Sequence, residues 1–159
     1  MPKISTCLWF NGLAEEAANF YISIFENSRI TGISRFRENE HGVEGSVMTV
    51  SFELEGKEFI ALNGGPDFSF SPAISYYVHC KDQQELDWYW EKLSQGGEKV
   101  QCGWLTDKFG VSWQIVPEIL GKMMQDPDPA RVGRVTQAIL KMIKLDIAEL
   151  EKAYSSQAH

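Results

Sequence analysis

The chain has 159 residues, 43% of them hydrophobic and 12% aromatic, which is typical of a folded globular protein and excludes a disordered chain. A single domain of this length buries a substantial core. The net charge of −7, without a basic cluster, excludes a surface that follows nucleic-acid phosphates. No apolar run approaches the roughly 20 residues that span a bilayer. Neither nucleic acid nor membrane is therefore an expected partner.

The N-terminus and the cysteines predict a cytoplasmic protein. Residues 1–4 do not begin an export signal, since no charged region is followed by a long apolar stretch and a cleavage site. Cys7, Cys80 and Cys102 are odd in number and form no Cys-x-x-Cys pair. This pattern favours reduced thiols over a disulfide framework or a zinc site.

The first part of the chain predicts a β-α-β-β-β module spanning residues 3–65. A dense apolar run indicates a first strand buried on both faces, and apolar side chains at helical spacing follow it. Glu55 and Gly56 are typical of a two-residue hairpin turn. The predicted elements are a strand at 4–10, a helix at 14–25, and strands at 29–37, 46–54 and 57–63.

The same order of elements begins again in a second module, residues 72–118. An offset of 68 residues places Cys7 on Ser75 and Trp9 on Tyr77, and the helix faces and glycine positions agree with it. The predicted elements are a strand at 73–80, a helix at 83–93, and strands at 99–105 and 111–117. We expect both modules to lie in one domain, residues 1–159.

The tail forms a C-terminal helical extension, residues 119–154. Asp128 is a typical N-cap and Pro129 a typical first helical residue. The pattern predicts one helix from there to about Tyr154, with an apolar stripe that packs on its own domain or on a second subunit.

Three segments carry a resemblance to a known family: residues 7–17, residues 104–114, and residues 141–150. In combination they resemble the PhnB-like family, also named 3-demethylubiquinone-9 3-methyltransferase, of the vicinal oxygen chelate superfamily. Glyoxalase I, extradiol dioxygenases and bleomycin-resistance proteins belong to that superfamily. The resemblance covers nearly the whole chain. It implies an α+β fold of paired βαβββ modules with cupped, mostly antiparallel half-barrel sheets, plus a C-terminal helix. It also implies a ligand pocket, often completed across a homodimer.

Metal-using members of the superfamily carry their ligands on the first and last strands of each module. The corresponding positions here are Ser5 or Thr6, Ala61 or Asn63, Ser75, and Gln114. None of these is the His, Cys, Asp or Glu that a divalent ion requires. His79 shares a strand with Ser75 but has no second histidine nearby in the pattern. We therefore predict no metal and no cofactor.

Strand alternation predicts which side chains line the pocket instead. The predicted ligand-binding residues are Cys7, Trp9, Asn63, Ser75, Tyr77, His79, Ser112 and Gln114. Two alternatives stay open: Trp9 and Tyr77 can be core residues, and Gln114 can be a buried amide held by backbone groups. Cys7 has no neighbouring base in the sequence and is expected to be an inert thiol. Phe68 and Phe70 belong either to the link between modules or to a flap.

Two functions fit this site. The first is metal-independent binding of a small, partly aromatic or amphipathic ligand by a homodimer, with no biochemical activity assigned. The second is an enzyme on a small carbonyl or quinone-like substrate, with His79 or Tyr77 as acid or base and Gln114 and Asn63 as hydrogen-bond donors. The methyltransferase label of the family has little support in the residues, because the glycine-rich first turn of most S-adenosylmethionine enzymes is lacking.

Overall fold

A computed structural model describes residues 3–156, which form two compact units, one ending at Ser69 and the other beginning at Phe70. The elements are β1 (Thr6–Phe10), α1 (Ala14–Ile24), β2 (Ser28–Arg35), β3 (Val47–Leu54), β4 (Lys57–Asn63), β5 (Ser75–Cys80), α2 (Gln83–Ser94), β6 (Glu98–Lys99), β7 (Trp104–Thr106), β8 (Ser112–Pro117), α3 (Glu118–Met124), α4 (Pro129–Leu140) and α5 (Ile147–Ser155). The predicted order of elements is confirmed in both modules.

Module one is a four-stranded sheet in the order β1-β4-β3-β2, with α1 on one face. β1 runs parallel to β4, and the other pairs are antiparallel. The face toward α1 is buried, and there the Tyr21 ring of α1 lies 6.2 Å from the Phe52 ring. The opposite face, which we call open face one, is exposed or half-buried at Cys7, Trp9, Thr49, Ser51, Ile60 and Leu62.

Two predictions about module one are tested by this sheet. The expectation that the first strand is buried on both faces is wrong, because α1 covers only the side that carries Leu8 and Phe10. The hairpin turn is confirmed: Glu55 and Gly56 have φ of 49° and 80°, the left-handed values that a tight type I′ turn requires.

Module two repeats the arrangement with a sheet in the order β5-β8-β7-β6. β5 runs parallel to β8, and the short strands β6 and β7 complete the sheet in antiparallel pairing. The continuous strand predicted at 99–105 is wrong. Cys102 and Gly103, with φ of 62° and 83°, turn the chain out of the sheet. Their N–H groups donate to the carbonyl oxygens of Met142 and Ile143, each at 2.8 Å.

The C-terminal extension consists of three helices, and the single helix predicted from Pro129 to about Tyr154 is wrong. The Asp128 N-cap is confirmed, since its side chain accepts from the N–H of Ala130 at 3.0 Å. The helix stops at Leu140, because the carbonyl groups that follow it bond to the turn at Cys102 and Gly103. Asp146 then caps α5 by accepting from Glu149 N–H at 3.1 Å.

Gln83, at the start of α2, fastens the extension to module two. Its Nε2 donates to the carbonyl oxygen of Leu145 at 3.1 Å and to Asp87 Oδ1 at 2.9 Å. Its Oε1 accepts from the N–H of Ile147 at 2.8 Å. The Lys144 ammonium also meets Asp87 Oδ1 at 2.9 Å. Burial of Asp87 disfavours its charge, but the Gln83 and Lys144 hydrogen bonds outweigh that and hold its pKa below the usual range.

The α+β class is confirmed, with paired βαβββ modules, one open and mostly antiparallel sheet in each, and a helical C-terminus. None of the helices within residues 3–156 is long and apolar enough to cross a membrane.

Candidate functional site

The open face of module two, which we call open face two, brings most of the predicted site residues together. The strand register places Ser75 beside Ser112 and Tyr77 beside Gln114. The antiparallel pair on the other side of β8 places Trp104 opposite Gln114. Five predicted residues therefore share one face of two adjacent strands, β5 and β8: Ser75, Tyr77, His79, Ser112 and Gln114.

Gln114 is held by a side chain of the neighbouring strand. Its Nε2 donates to Ser75 Oγ at 3.0 Å, and both residues are half-buried. The alternative in which backbone groups hold the amide is not what the structure shows. Within residues 3–156 neither the second Nε2 hydrogen nor Oε1 of Gln114 has a partner, so the amide keeps free hydrogen-bonding capacity on the open face.

Ser112 carries the least exposed polar group of this face. The residue is 3% exposed, yet its hydroxyl has no hydrogen-bond partner in the described part of the chain. No fully sealed side-chain N or O atom among those residues lacks a partner. The small exposed surface of Ser112 therefore includes its hydroxyl oxygen, which a ligand can reach from the open face.

Tyr77 and His79 form the exposed border of the same face. Tyr77 is 50% exposed, so it is not a core residue of this chain. Its ring lies 5.1 Å from the His79 ring, with an angle of 42° between the planes. A phenol and an imidazole thus stand side by side next to the Gln114 amide.

Asp107 builds the hairpin that positions Gln114. Its carboxylate is 2% exposed; Oδ1 accepts from Phe109 N–H at 2.9 Å and Val111 N–H at 3.1 Å, while Oδ2 accepts from Trp113 Nε1 at 2.8 Å. Gly110 completes the turn with φ of 94°, a value that favours glycine. The carboxylate sets where β8 begins and therefore which of its side chains reach the open face.

Trp9 is the aromatic residue of open face one. Its Nε1 donates to the carbonyl oxygen of Gly65 at 2.9 Å, and its ring lies so close to Gly64 that a Cβ there would be 2.4 Å from ring carbons. The Phe68 ring meets it edge-on at 4.9 Å. Phe68 therefore flanks Trp9, whereas Phe70 belongs to the second unit and lies near Gly110.

Asn63 serves the start of α1. Its Oδ1 accepts from Ala14 N–H at 2.9 Å and its Nδ2 donates to the carbonyl oxygen of Val47 at 3.0 Å. The register pairs it with Phe10, so it lies on the face toward α1 and not with Cys7 and Trp9. The sequence carried a signal for this role: Leu13 stands at the N-cap and cannot cap the helix, so another group must.

The thiols differ in their surroundings. Cys7 is exposed on open face one, and partial burial raises the pKa of its thiol. Cys80 lies on the face toward α2, where burial, followed by the nearby Glu85 carboxylate, raises its pKa to about 12. Both shifts favour the protonated form, which is the unreactive one.

The positions available to a metal ion do not suit one. On open face one the register assigns them to Cys7 and Leu62, because Thr6, Ala61 and Asn63 face α1. Their counterparts in module two are Ser75 and Gln114. Only the Cys7 thiol among them is a common ligand for a divalent ion, and an alkyl group, a hydroxyl and an amide do not complete a site around it. Residues 3–156 also contain no cluster of three or more His, Cys, Asp or Glu that could share an ion.

Trp104 is the site residue that the sequence interpretation missed. It is half-buried on β7 and lies opposite Gln114. Counting back from the Phe109-Gly110 turn pairs Thr106 with Ser112 and Trp104 with Gln114. The signal for Trp104 was therefore present in the pairing of the hairpin.

Comparisons with known proteins agree with this architecture. A family model described as 3-demethylubiquinone-9 3-methyltransferase matches residues 2–116. A PhnB protein from Bacillus cereus is 43% identical, with a TM-score of 0.67, over 73% of this chain and 99% of that chain. Protein PA1353 from Pseudomonas aeruginosa is 19% identical, with a TM-score of 0.62, over 74% of this chain and 98% of its own, and shows the shared fold alone. No curated protein matches the chain.

The match ends before α3, so the similarity does not extend over nearly the whole chain as expected, and the tail segment at 141–150 lies outside it. The matched residues cover both modules, including the Trp104–Gln114 hairpin strands. The chain therefore belongs to the 3-demethylubiquinone-9 3-methyltransferase family, the PhnB-like family that its motifs resemble.

Proposed function

We propose that the protein binds a small, partly aromatic or amphipathic molecule without a metal ion. The observation that carries this proposal is the Gln114–Ser75 hydrogen bond of 3.0 Å on open face two. It joins the two positions at which metal-using members of the superfamily place ligands. An amide and a hydroxyl offer neutral donors and acceptors there, flanked by the aromatic rings of Tyr77 and Trp104. Aromatic walls with a few polar groups are the usual composition of a small-molecule site.

Metal content is the direct test. The protein is purified without a histidine tag, and its metal content is measured by mass spectrometry. Its melting temperature is then recorded with Ni²⁺, Mn²⁺ or Fe²⁺. We expect no stoichiometric metal and no shift. About one ion per subunit would overturn the metal-independent function. A ligand search on the same protein by native mass spectrometry tests binding, and its absence with a folded protein would overturn the binding function.

A second candidate function is favoured by the Tyr77–His79 pair. The two rings lie 5.1 Å apart beside Gln114, so an acid or base and a hydrogen-bond donor share one face. In an enzyme on a small carbonyl or quinone-like substrate, His79 or Tyr77 would move the proton and Gln114 would donate to the developing enolate oxygen. Asn63 does not suit the same role, because it lies on the face toward α1, where its amide oxygen and nitrogen bond to Ala14 and Val47.

Substitution separates the two functions. For an enzyme, His79→Ala or Tyr77→Phe abolishes turnover while the circular dichroism spectrum stays unchanged. For a binding protein, no turnover is found for the wild type. Full turnover in both variants would exclude these residues as acid or base. Methyl transfer is not part of either proposal, because both sheets are mostly antiparallel, whereas most methyltransferases hold S-adenosylmethionine at a glycine-rich turn of a parallel sheet.

We also propose that the protein acts as a homodimer in the cytoplasm, without nucleic-acid or membrane partners. The net charge of −7 and the three free thiols support the location and the partners. Light scattering after gel filtration measures the subunit number, and a monomer at micromolar concentration would overturn the dimer.

A further inference from the structure

Two aromatic residues flank the Gln114 amide at the same level of open face two. Tyr77 lies on one neighbouring strand and Trp104 on the other, each in register with Gln114. Because adjacent strands are about 4.8 Å apart, the backbones of Tyr77 and Trp104 are separated by roughly 10 Å. A flat ring that contacts a ring on each side needs about 7 Å between them. The spacing therefore fits one planar ring standing edge-on over Gln114.

The floor between these walls carries hydrogen-bond donors that the fold does not use. Ser75 Oγ accepts from Gln114 Nε2, so its own proton remains available to donate. Gln114 keeps its second Nε2 hydrogen. Ser112 is only 3% exposed, and its hydroxyl has no partner within residues 3–156. The Ser112 hydroxyl oxygen keeps a small exposed surface, since no fully sealed side-chain N or O atom within residues 3–156 lacks a partner, and its proton is available to donate. The floor is thus complementary to an acceptor oxygen.

The charge of this face indicates a neutral ligand. Among the described positions that share the face by register, none is Lys or Arg. His79 stands beside Tyr77 at one border, and Glu98 lies opposite Thr106 on β6, at the far edge. A carboxylate or phosphate would find no cation here to compensate for its lost hydration.

The geometry points to a ligand that is a flat, uncharged aromatic ring with an acceptor oxygen at its leading edge, the class of aryl ketones. The ring lies between Tyr77 and Trp104, and the oxygen accepts one or two hydrogen bonds from the donors of the floor, which are the Ser112 and Ser75 hydroxyls and the Gln114 amide. This inference rests on the proposed binding function and narrows it to one ligand class and one orientation.

Three probe compounds test the two parts of the inference by calorimetry. 2-Acetylnaphthalene has the ring and the oxygen, 2-ethylnaphthalene has the ring alone, and cyclohexyl methyl ketone has the oxygen without a flat ring. We expect the first to bind about three- to tenfold more tightly than the second, since one or two hydrogen bonds separate them. The third should be the weakest. The side-chain amide resonance of Gln114 should shift further with 2-acetylnaphthalene than with 2-ethylnaphthalene, because both place a ring over the amide but only the ketone accepts its hydrogen bond.

Variants then assign the effect to residues. Ser112→Ala should weaken the binding of 2-acetylnaphthalene about three- to tenfold and leave the binding of 2-ethylnaphthalene unchanged, because only the ketone accepts a hydrogen bond from the hydroxyl. Ser94→Ala is the matched control: Ser94 is 7% exposed and already donates to the Glu91 carbonyl oxygen, so its loss should not alter binding. Tyr77→Leu or Trp104→Leu should weaken both naphthalenes.

Equal affinities of the two naphthalenes, or an unchanged ketone affinity in Ser112→Ala, would overturn the inference and leave small-molecule binding intact. Binding of other compounds at this face, without any of the three probes, would also overturn it. Failure of every compound to bind a folded protein would remove the proposed function itself, and the inference with it.

Discussion

The two modules share one order of elements but use their polar side chains differently. By the offset and the strand register, Cys7, Trp9 and Leu62 of open face one correspond to Ser75, Tyr77 and Gln114 of open face two. In module one the Trp9 indole N–H is bonded to the Gly65 carbonyl oxygen. In module two the amide and hydroxyl groups of the face retain free donors.

The helix starts explain part of this difference. α1 has no capping side chain of its own, and Asn63 from β4 binds its first N–H group. α2 is capped locally by Asp82, which accepts from Glu85 N–H at 2.9 Å. Module one thus uses its strand-borne amide for structure, whereas module two keeps Gln114 for its open face. The proposed ligand site therefore lies in one copy of the repeated fold.

The largest expected difference between the modules is in how much a substitution at the hairpin turn lowers the free energy of unfolding. Asp107→Ala leaves the N–H groups of Phe109, Val111 and Trp113 without the carboxylate that they bind. We expect a loss of about 3 to 5 kcal/mol in the free energy of unfolding, because several buried donors lose their partner at once. Urea denaturation followed by circular dichroism measures it.

Glu55→Ala at the module-one turn is the control. Within residues 3–156 the Glu55 carboxylate accepts only one long hydrogen bond, 3.4 Å, from the N–H of Asn27 at an exposed position. A loss of less than about 1 kcal/mol is expected there. If the two substitutions cost the same, the buried carboxylate is not what fixes the module-two hairpin.

The next effect tests how Trp9 is held in module one. Gly64→Ala places a methyl group 2.4 Å from the Trp9 ring, so the ring must move or the loop must shift. Overpacking of this kind costs about 1 to 3 kcal/mol. The Trp9 indole resonance should shift as its hydrogen bond to Gly65 is disturbed. Gly32→Ala, where no atom lies within 4 Å of the added carbon, should change neither the free energy of unfolding nor the Trp9 indole resonance. An unshifted indole in Gly64→Ala would contradict the close contact.

A smaller effect is expected where module two binds the extension. Gln83→Ala removes three hydrogen bonds, including those to Leu145 and Ile147, and should cost about 1 to 2 kcal/mol. Hydrogen exchange should quicken at residues 145–150. Glu15 occupies the same place in module one by the 68-residue offset and is exposed, so Glu15→Ala should leave exchange unchanged. Equal exchange in the wild type and Gln83→Ala would mean that other contacts hold α5.

The sequence predicted what depends on local periodicity. The strand and helix order, the Glu55-Gly56 turn and the Asp128 cap all follow from alternation and cap chemistry within a few residues. The tail was predicted wrongly because its helix is broken by carbonyl groups that bond to Cys102 and Gly103, some 40 residues earlier in the chain. Local helix propensity contains no information about such a partner.

In the candidate site, too, the sequence predicted what local alternation determines and missed what depends on partners from other elements. Alternation placed Ser75, Tyr77 and Gln114 on one face, as the register shows. The role of Asn63 was hidden because its two partners, Ala14 and Val47, come from other elements. Ser112 was named as a site residue, but only the packing reveals that the residue is 3% exposed and that its hydroxyl has no partner within residues 3–156.

The smallest expected effect is a pH dependence of stability in the C-terminal extension. The extension follows module two, and module one has no counterpart to it within residues 3–156. The Tyr154 hydroxyl donates to Asp126, and with the Asp128 N–H and the Arg131 guanidinium it holds the pKa of the Asp126 carboxyl below its ordinary value of 3.8. A group with a lowered folded pKa stabilises the fold above its unfolded pKa and loses that contribution as the pH falls through the folded one. Tyr154→Phe should therefore lower the melting temperature slightly at neutral pH, and the difference from wild type should shrink below pH 3.8.

Tyr77→Phe, whose hydroxyl has no partner within residues 3–156, should show no such pH-dependent difference. A Tyr154→Phe difference that stays constant from neutral to acidic pH would mean that the hydroxyl acts by packing and not through the Asp126 charge.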